Sequence, residues 1–130
     1  MRFFLRKEDK IKSRAERELC FSKGKTHFCY PLKTFFQYNP SDFKNHYSVL
    51  VAVPKKYHKR AVVRNLIKRR TREAYRLNLH KLYEHQFNKY YNVSIAFVYT
   101  STKVEDYHKI EASITAHINY IIDTIKKSEI

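Results

Sequence analysis

The stretch from Pro54 to Asn78 reads Pro-Lys-Lys-Tyr-His-Lys-Arg-Ala-Val-Val-Arg-Asn-Leu-Ile-Lys-Arg-Arg-Thr-Arg-Glu-Ala-Tyr-Arg-Leu-Asn and holds ten of the chain's 27 Lys and Arg residues. At the helical advance of roughly 100° per residue, one side gathers Val63, Leu66, Ile67, Ala74 and Leu77. The other gathers Arg64, Asn65, Lys68, Arg69, Arg72 and Arg76. Such a helix docks by its apolar side and leaves a row of cations spaced at three and four residues. Like charges at that spacing repel by a few tenths of a kcal/mol per pair, and Glu73 is the one acid nearby. An ordinary solvated helix face interleaves both signs; a one-signed row matches a path of phosphates. Arg70 falls near the apolar side, where its stem is expected to snorkel.

The flanks of this helix decide the fold class. His46 to Val53 is a compact β-branched run closed by Pro54, and Asn92 to Thr100 alternates with Val93, Ile95, Phe97 and Tyr99 on one face, so both are predicted strands. Lys10 to Phe21 carries apolar residues at helical spacing and is broken by Lys23-Gly24-Lys25, which predicts a short first helix. Thr26 to Tyr38 is aromatic and β-favouring, is interrupted by Pro31 and is followed by the turn cluster Asn39-Pro40-Ser41-Asp42; it reads as an edge-type strand. Val104 to Lys127 places Tyr107, Ile110, Ile114, Ile118, Ile121 and Ile125 at helix spacing, predicting a terminal helix across one sheet face. The expected class is α+β, one layer of sheet and one of helices, in a single domain over residues 1–130.

Charge narrows the partner. A formal +15 raises self-repulsion unless a polyanion binds. A hydrophobic fraction of 43% is too high for a disordered basic tail. No segment approaches the run of about 18 apolar residues that spans a bilayer, and the apolar part of Met1 to Arg6 is too short for a secretory leader, so nucleic acid in the cytoplasm is expected and a membrane is not. Cys20 and Cys29 are too few and too far apart for a zinc knuckle and read as small apolar residues. His27, His46, His58, His80, His85, His108 and His117 show no spacing that pairs a base with a nucleophile or forms a metal triad. Glu105-Asp106 fits a helix N-terminus better than a two-metal site. No catalytic residue is therefore expected in the protein.

The run Ala61 to Tyr75, preceded by a strand and the pair Lys55-Lys56 and followed by a second strand, resembles the signature of the bacterial ribonuclease P protein family. The resemblance is strongest over Val51 to Leu77 and extends through Phe21 to Lys25 and the terminal helix. Three positions depart from the family pattern. Leu66 stands where Arg-Asn-Arg has its second Arg, Tyr57-His58-Lys59-Arg60 fills a loop that usually holds a glycine, and Arg17 stands where an aromatic is expected.

The resemblance implies an α/β sandwich of about four strands in a mixed sheet and about three helices, with a left-handed β-α-β crossover where the general rule favours the right hand. It implies a subunit of an endoribonuclease that removes the 5′ leader of precursor tRNA, with catalysis and Mg2+ residing mainly in a catalytic RNA and no further protein required. Lys55, Lys56, Lys59, Arg60, Arg64, Asn65, Lys68, Arg69, Arg72 and Arg76 would then face the catalytic RNA. Phe21, Lys33, Phe35 and Tyr47 would line a cleft for the single-stranded leader. A ribosomal or ribosome-assembly protein shares the size and charge and is the alternative. A duplex-DNA regulator fits less well, because Asn65 is almost the only base-reading amide in the row.

Overall fold

The computed structural model describes residues 14–130. In chain order they form helix α1 (Arg14–Lys23), strands β1 (Lys25–Cys29), β2 (Leu32–Ser41) and β3 (His46–Ala52), helix α2 (Ala61–Glu84), strand β4 (Tyr90–Tyr99) and helix α3 (Tyr107–Ser128). The strands make one mixed sheet in the order β1-β2-β4-β3, in which β3 and β4 are parallel and the other pairs antiparallel. The parallel pair is joined through α2, so the β-α-β unit implied by the resemblance is present. Residues 10–13 of the expected first helix, and the segment from Met1 to Arg6, lie outside the described residues.

The expected strand over Thr26 to Tyr38 is two strands. Cys29 pairs with Leu32 around Tyr30-Pro31, so β1 is the sheet edge and β2 is an interior strand. The turn expected at Asn39-Pro40-Ser41-Asp42 comes later, because β2 stays paired with β4 through Ser41, opposite Tyr90. Gly24 ends α1 as expected: its N–H donates to the Cys20 carbonyl at 3.2 Å. A Cβ at Gly24 would lie 2.2 Å from the Cys20 oxygen and 3.0 Å from the Phe36 oxygen, so no side chain fits there.

Strand parity divides the sheet into two unlike faces. Leu32 and Phe36 of β2, Tyr47, Val49 and Val51 of β3, and Val93, Ile95, Phe97 and Tyr99 of β4 point to one side. There they bury against Ile67, Ala74, Tyr75, Leu79 and Leu82 of α2 and Ile110, Ile114, Ile118, Ile121 and Ile125 of α3. At about 1.5–3 kcal/mol per fully buried large apolar side chain, this face holds the fold together. Asp106 caps α3 by accepting from the Lys109 N–H at 2.9 Å, the helix-start role read for Glu105-Asp106.

Among the described residues the opposite face carries α1 alone, anchored by Cys20, whose thiol donates to the carbonyls of Phe35 and Ser94 at 3.3 and 3.6 Å. Burial, then the charge of Glu16, pushes that thiol up to about 11, so it stays protonated. Cys29 is likewise a free thiol. No helix among the described residues is long and apolar enough to cross a membrane.

Candidate nucleic-acid interface

Helix α2 is inserted between two strands that are buried on its side, and this fixes which of its residues meet solvent. The buried side of the helix consists of Ile67, Thr71, Ala74, Tyr75, Asn78, Leu79 and Leu82. Relative to the hydropathy pattern the contact stripe is rotated: Val63 packs on the core edge, Leu66 and Leu77 are only half-buried, and Thr71 and Asn78 point inward. The two polar residues bury at little cost because the helix satisfies them. Thr71 Oγ1 donates to the Ile67 carbonyl and Asn78 Nδ2 to that of Ala74, both at 2.8 Å.

Of the expected RNA-facing residues, Lys55, Lys56, Lys59, Arg60, Asn65, Arg69 and Arg72 are exposed, and Arg64, Lys68 and Arg76 are half-buried. Asn65, Arg69, Arg72 and Arg76 are spaced by four, three and four residues and form one line along the outer face. Arg76 is paired with Glu73 in a bidentate contact, so its charge is partly neutralised within the protein. Arg64 turns back along the chain, its Nη1 donating to the His58 and Lys59 carbonyls at 3.1 and 2.7 Å. Arg70 is half-buried, as its snorkelling position implied, and Nη1 donates to the Glu105 carbonyl at 2.8 Å. That nitrogen ties α2 to the segment before α3.

The expected leader cleft comes together in part. On the sheet face that carries α1, Phe21 and Phe35 meet edge to face at 5.0 Å between ring centres, and Lys33 Nζ lies 5.1 Å from the Phe35 ring centre. Phe21 and Lys33 are exposed and Phe35 is half-buried; Arg17, Glu18, Phe21 and Ser22 line an adjoining depression. Cross-strand neighbours continue this patch: Phe35 pairs with Ala96 and Ala96 with Leu50, while Lys33 pairs with Val98 and Val98 with Ala52. Phe28, opposite Lys33 on β1, is 55% exposed at its end. Leu50, Ala52, Val98 and Phe28 were not singled out from the sequence. They alternate with the core residues of their strands, which was the available signal.

Tyr47 does not belong to this cleft. It is buried on the opposite face, where its hydroxyl donates to the Leu82 carbonyl at 3.1 Å. The reason is register: Phe35 pairs with Ala96 and Tyr47 with Val93, three positions apart on β4 and therefore on opposite faces.

Among the described residues, a basic helix face with its loop thus lies on one side of the sheet and an apolar strip on the other. The family model described as Ribonuclease P matches residues 5–119. The ribonuclease P protein component of Porphyromonas gingivalis (strain ATCC 33277) is 32% identical over 126 residues, which cover 97% of this chain and 92% of that protein. The solved RNase P protein of Staphylococcus aureus superposes with a TM-score of 0.63 at 23% identity, covering 92% of this chain and 99% of that one. An RNase P protein structure from Thermotoga maritima gives 0.53 at 19% identity, covering 88% and 97%. With the fold shared with those structures and the match running from before α1 into α3, the chain belongs to the ribonuclease P protein family.

Proposed function

We propose that this chain is the protein subunit of a ribonuclease P holoenzyme, binding its catalytic RNA and the 5′ leader of precursor tRNA and promoting hydrolysis of the phosphodiester at the mature 5′ end. The single observation that carries the reading is the exposed line Asn65, Arg69 and Arg72 beside the four-cation loop Lys55, Lys56, Lys59 and Arg60, on a chain of this family. These groups position an RNA backbone without reading bases. The strip formed by Phe21, Lys33 and Phe35 suits unstacked nucleotides, for which each base stacked on an aromatic is worth about 1–3 kcal/mol.

Among the described residues no group of three or more His, Cys, Asp or Glu side chains is placed to hold a metal ion. The magnesium ions of the holoenzyme are proposed to be held mainly by the RNA. The protein's part is binding and placement.

The test is single-turnover cleavage of a precursor tRNA by the catalytic RNA of the same genome, at low magnesium, with and without this protein. A rate increase of at least about tenfold, about 1.4 kcal/mol of barrier, is expected at the mature 5′ end, with the protein inert alone. RNA binding with an unchanged rate overturns the reading in favour of a ribosome-associated role.

Affinity for the catalytic RNA is expected to fall with a log-log salt slope of several units. Arg69→Ala and Arg72→Ala should each reduce that slope by about one, since each removes one phosphate contact. Slopes equal to wild type in both variants would remove the outer face of α2 from the interface.

A further inference from the structure

The loop from Pro54 to Arg60 concentrates Lys55, Lys56, Lys59 and Arg60, all exposed, directly before the N-terminus of α2. Two forces push it apart. The four cations repel one another, and the helix dipole places partial positive charge at the end where they crowd. The first turn of α2 contains no acid, and Arg60 at the cap position makes no side-chain capping bond. The loop nevertheless has a defined shape, fixed by hydrogen bonds on both of its sides.

Pro54 O accepts from the N–H groups of Tyr57 and His58 at 3.2 and 3.4 Å, closing a turn. His58, 7% exposed, sits 2.8 Å by Nε2 from the Ser101 carbonyl. A carbonyl only accepts, so Nε2 carries the proton. Ser101 is itself fixed, its Oγ 2.7 Å from the Tyr30 hydroxyl and accepting from the Lys103 N–H at 3.0 Å. From inside α2, Arg64 Nη1 donates to the carbonyls of His58 and Lys59. The loop is therefore pinned from two sides, to the β4–α3 connection by His58 and to α2 by Arg64.

We infer that Arg64 and His58 are positioning residues, which act on RNA through the loop by holding Lys55, Lys56, Lys59 and Arg60 in register with the outer face of α2. This rests on the proposed function for the identity of the RNA. It departs from the sequence-based expectation that Arg64 is itself a phosphate contact. The guanidinium that looks like one more member of the cation row is directed at two backbone carbonyls.

A double-mutant cycle on the full chain separates the two roles, with affinity for the catalytic RNA of the same genome measured at fixed salt. Arg64→Ala alone is expected to weaken binding by on the order of tenfold. In a Lys55→Ala/Lys56→Ala/Lys59→Ala background the same change should cost no more than about twofold, because three of the four groups it positions are gone. Combined with Arg72→Ala, its full factor should reappear, since separate contacts add in free energy. His58→Ala provides a second arm through the other tether and should show the same dependence on the loop cations.

Penalties for Arg64→Ala that multiply equally in both backgrounds make Arg64 a direct contact and overturn the inference. Wild-type protein that prefers this RNA no more than an unrelated structured RNA of equal length overturns the functional reading. The cycle run on that second RNA still decides the role of Arg64, because phosphate contacts do not depend on sequence.

Discussion

Tyr47→Ala is expected to cost the free protein about 3–5 kcal/mol of folding stability, the range for truncating a buried large aromatic, and to do so without any RNA present. Tyr47 is 1% exposed, and its ring meets that of Tyr83 nearly perpendicular at 4.8 Å. Its hydroxyl donates to the carbonyl of Leu82, which lies in the last turn of α2, where helix carbonyls have no partner within the helix. Truncation therefore opens a cavity and orphans a carbonyl together. Burial pushes the phenol's pKa well above its usual value, so the donor persists at any pH at which the protein is handled. Against a total of about 5–15 kcal/mol for a domain of this size, the loss is about a fifth or more. Urea unfolding followed by far-ultraviolet circular dichroism measures it. Phe35→Ala, on the open face, should lower stability by about 1 kcal/mol or less and instead weaken binding of a single-stranded leader. A Tyr47→Ala protein as stable as wild type, with its defect confined to leader binding, would return Tyr47 to the cleft.

That contrast shows what the sequence makes legible. Alternation within β3 and β4 is visible as printed residues, so the membership of each face is readable strand by strand. What alternation does not contain is the phase between strands, which is set by register across β4, and Tyr47 was misplaced for that reason. The β1–β2 hairpin was hidden similarly. Its two-residue turn, Tyr30-Pro31, lacks the Gly or Asn that usually marks one, and aromatic residues continue on both sides. In α2 the period was clear and the direction of its stripe less so, because Thr71 and Asn78 satisfy their own polar atoms within the helix and can face the core. The exposed cations Arg69 and Arg72 needed only the period. The destination of the Arg64 guanidinium depended on the shape of a loop, which no periodicity reports.

Histidine spacing along the chain gave no pairing, yet the fold brings His27 and His117, ninety positions apart, to 2.8 Å between their Nδ1 atoms. The structure thereby predicts an acid-sensitive fold. His117 is fully buried and its Nε2 lies 2.9 Å from the Leu32 carbonyl, so Nε2 donates, and Nδ1 is left to accept a proton from His27. The groups around the pair are the Cys29 carbonyl from β1, the Leu32 carbonyl from β2, the Phe97 ring from β4 at 5.9 Å, and Tyr120 from α3, stacked on His27 at 4.0 Å. Burial pushes the His117 pKa down to about 4; the Leu32 carbonyl opposes this, and His27 adds to it. Burial lowers His27 as well.

Unfolded, His117 takes up a proton below about pH 6.5; folded, it does so only near 4. Its contribution is therefore complete above about pH 6.5, declines as pH falls through the window between the two values, and levels off below the lower one. From pH 7 to pH 5, a range above most carboxylate titration, the loss from His117 is about 2 kcal/mol, read as a lowered urea midpoint. His117→Gln keeps a donor for the Leu32 carbonyl and cannot titrate, so it should start less stable at pH 7 and lose little more by pH 5. A His117→Gln protein that loses as much stability over that interval as wild type would show that the imidazole titrates alike in the folded and unfolded states and that acid acts elsewhere in the fold.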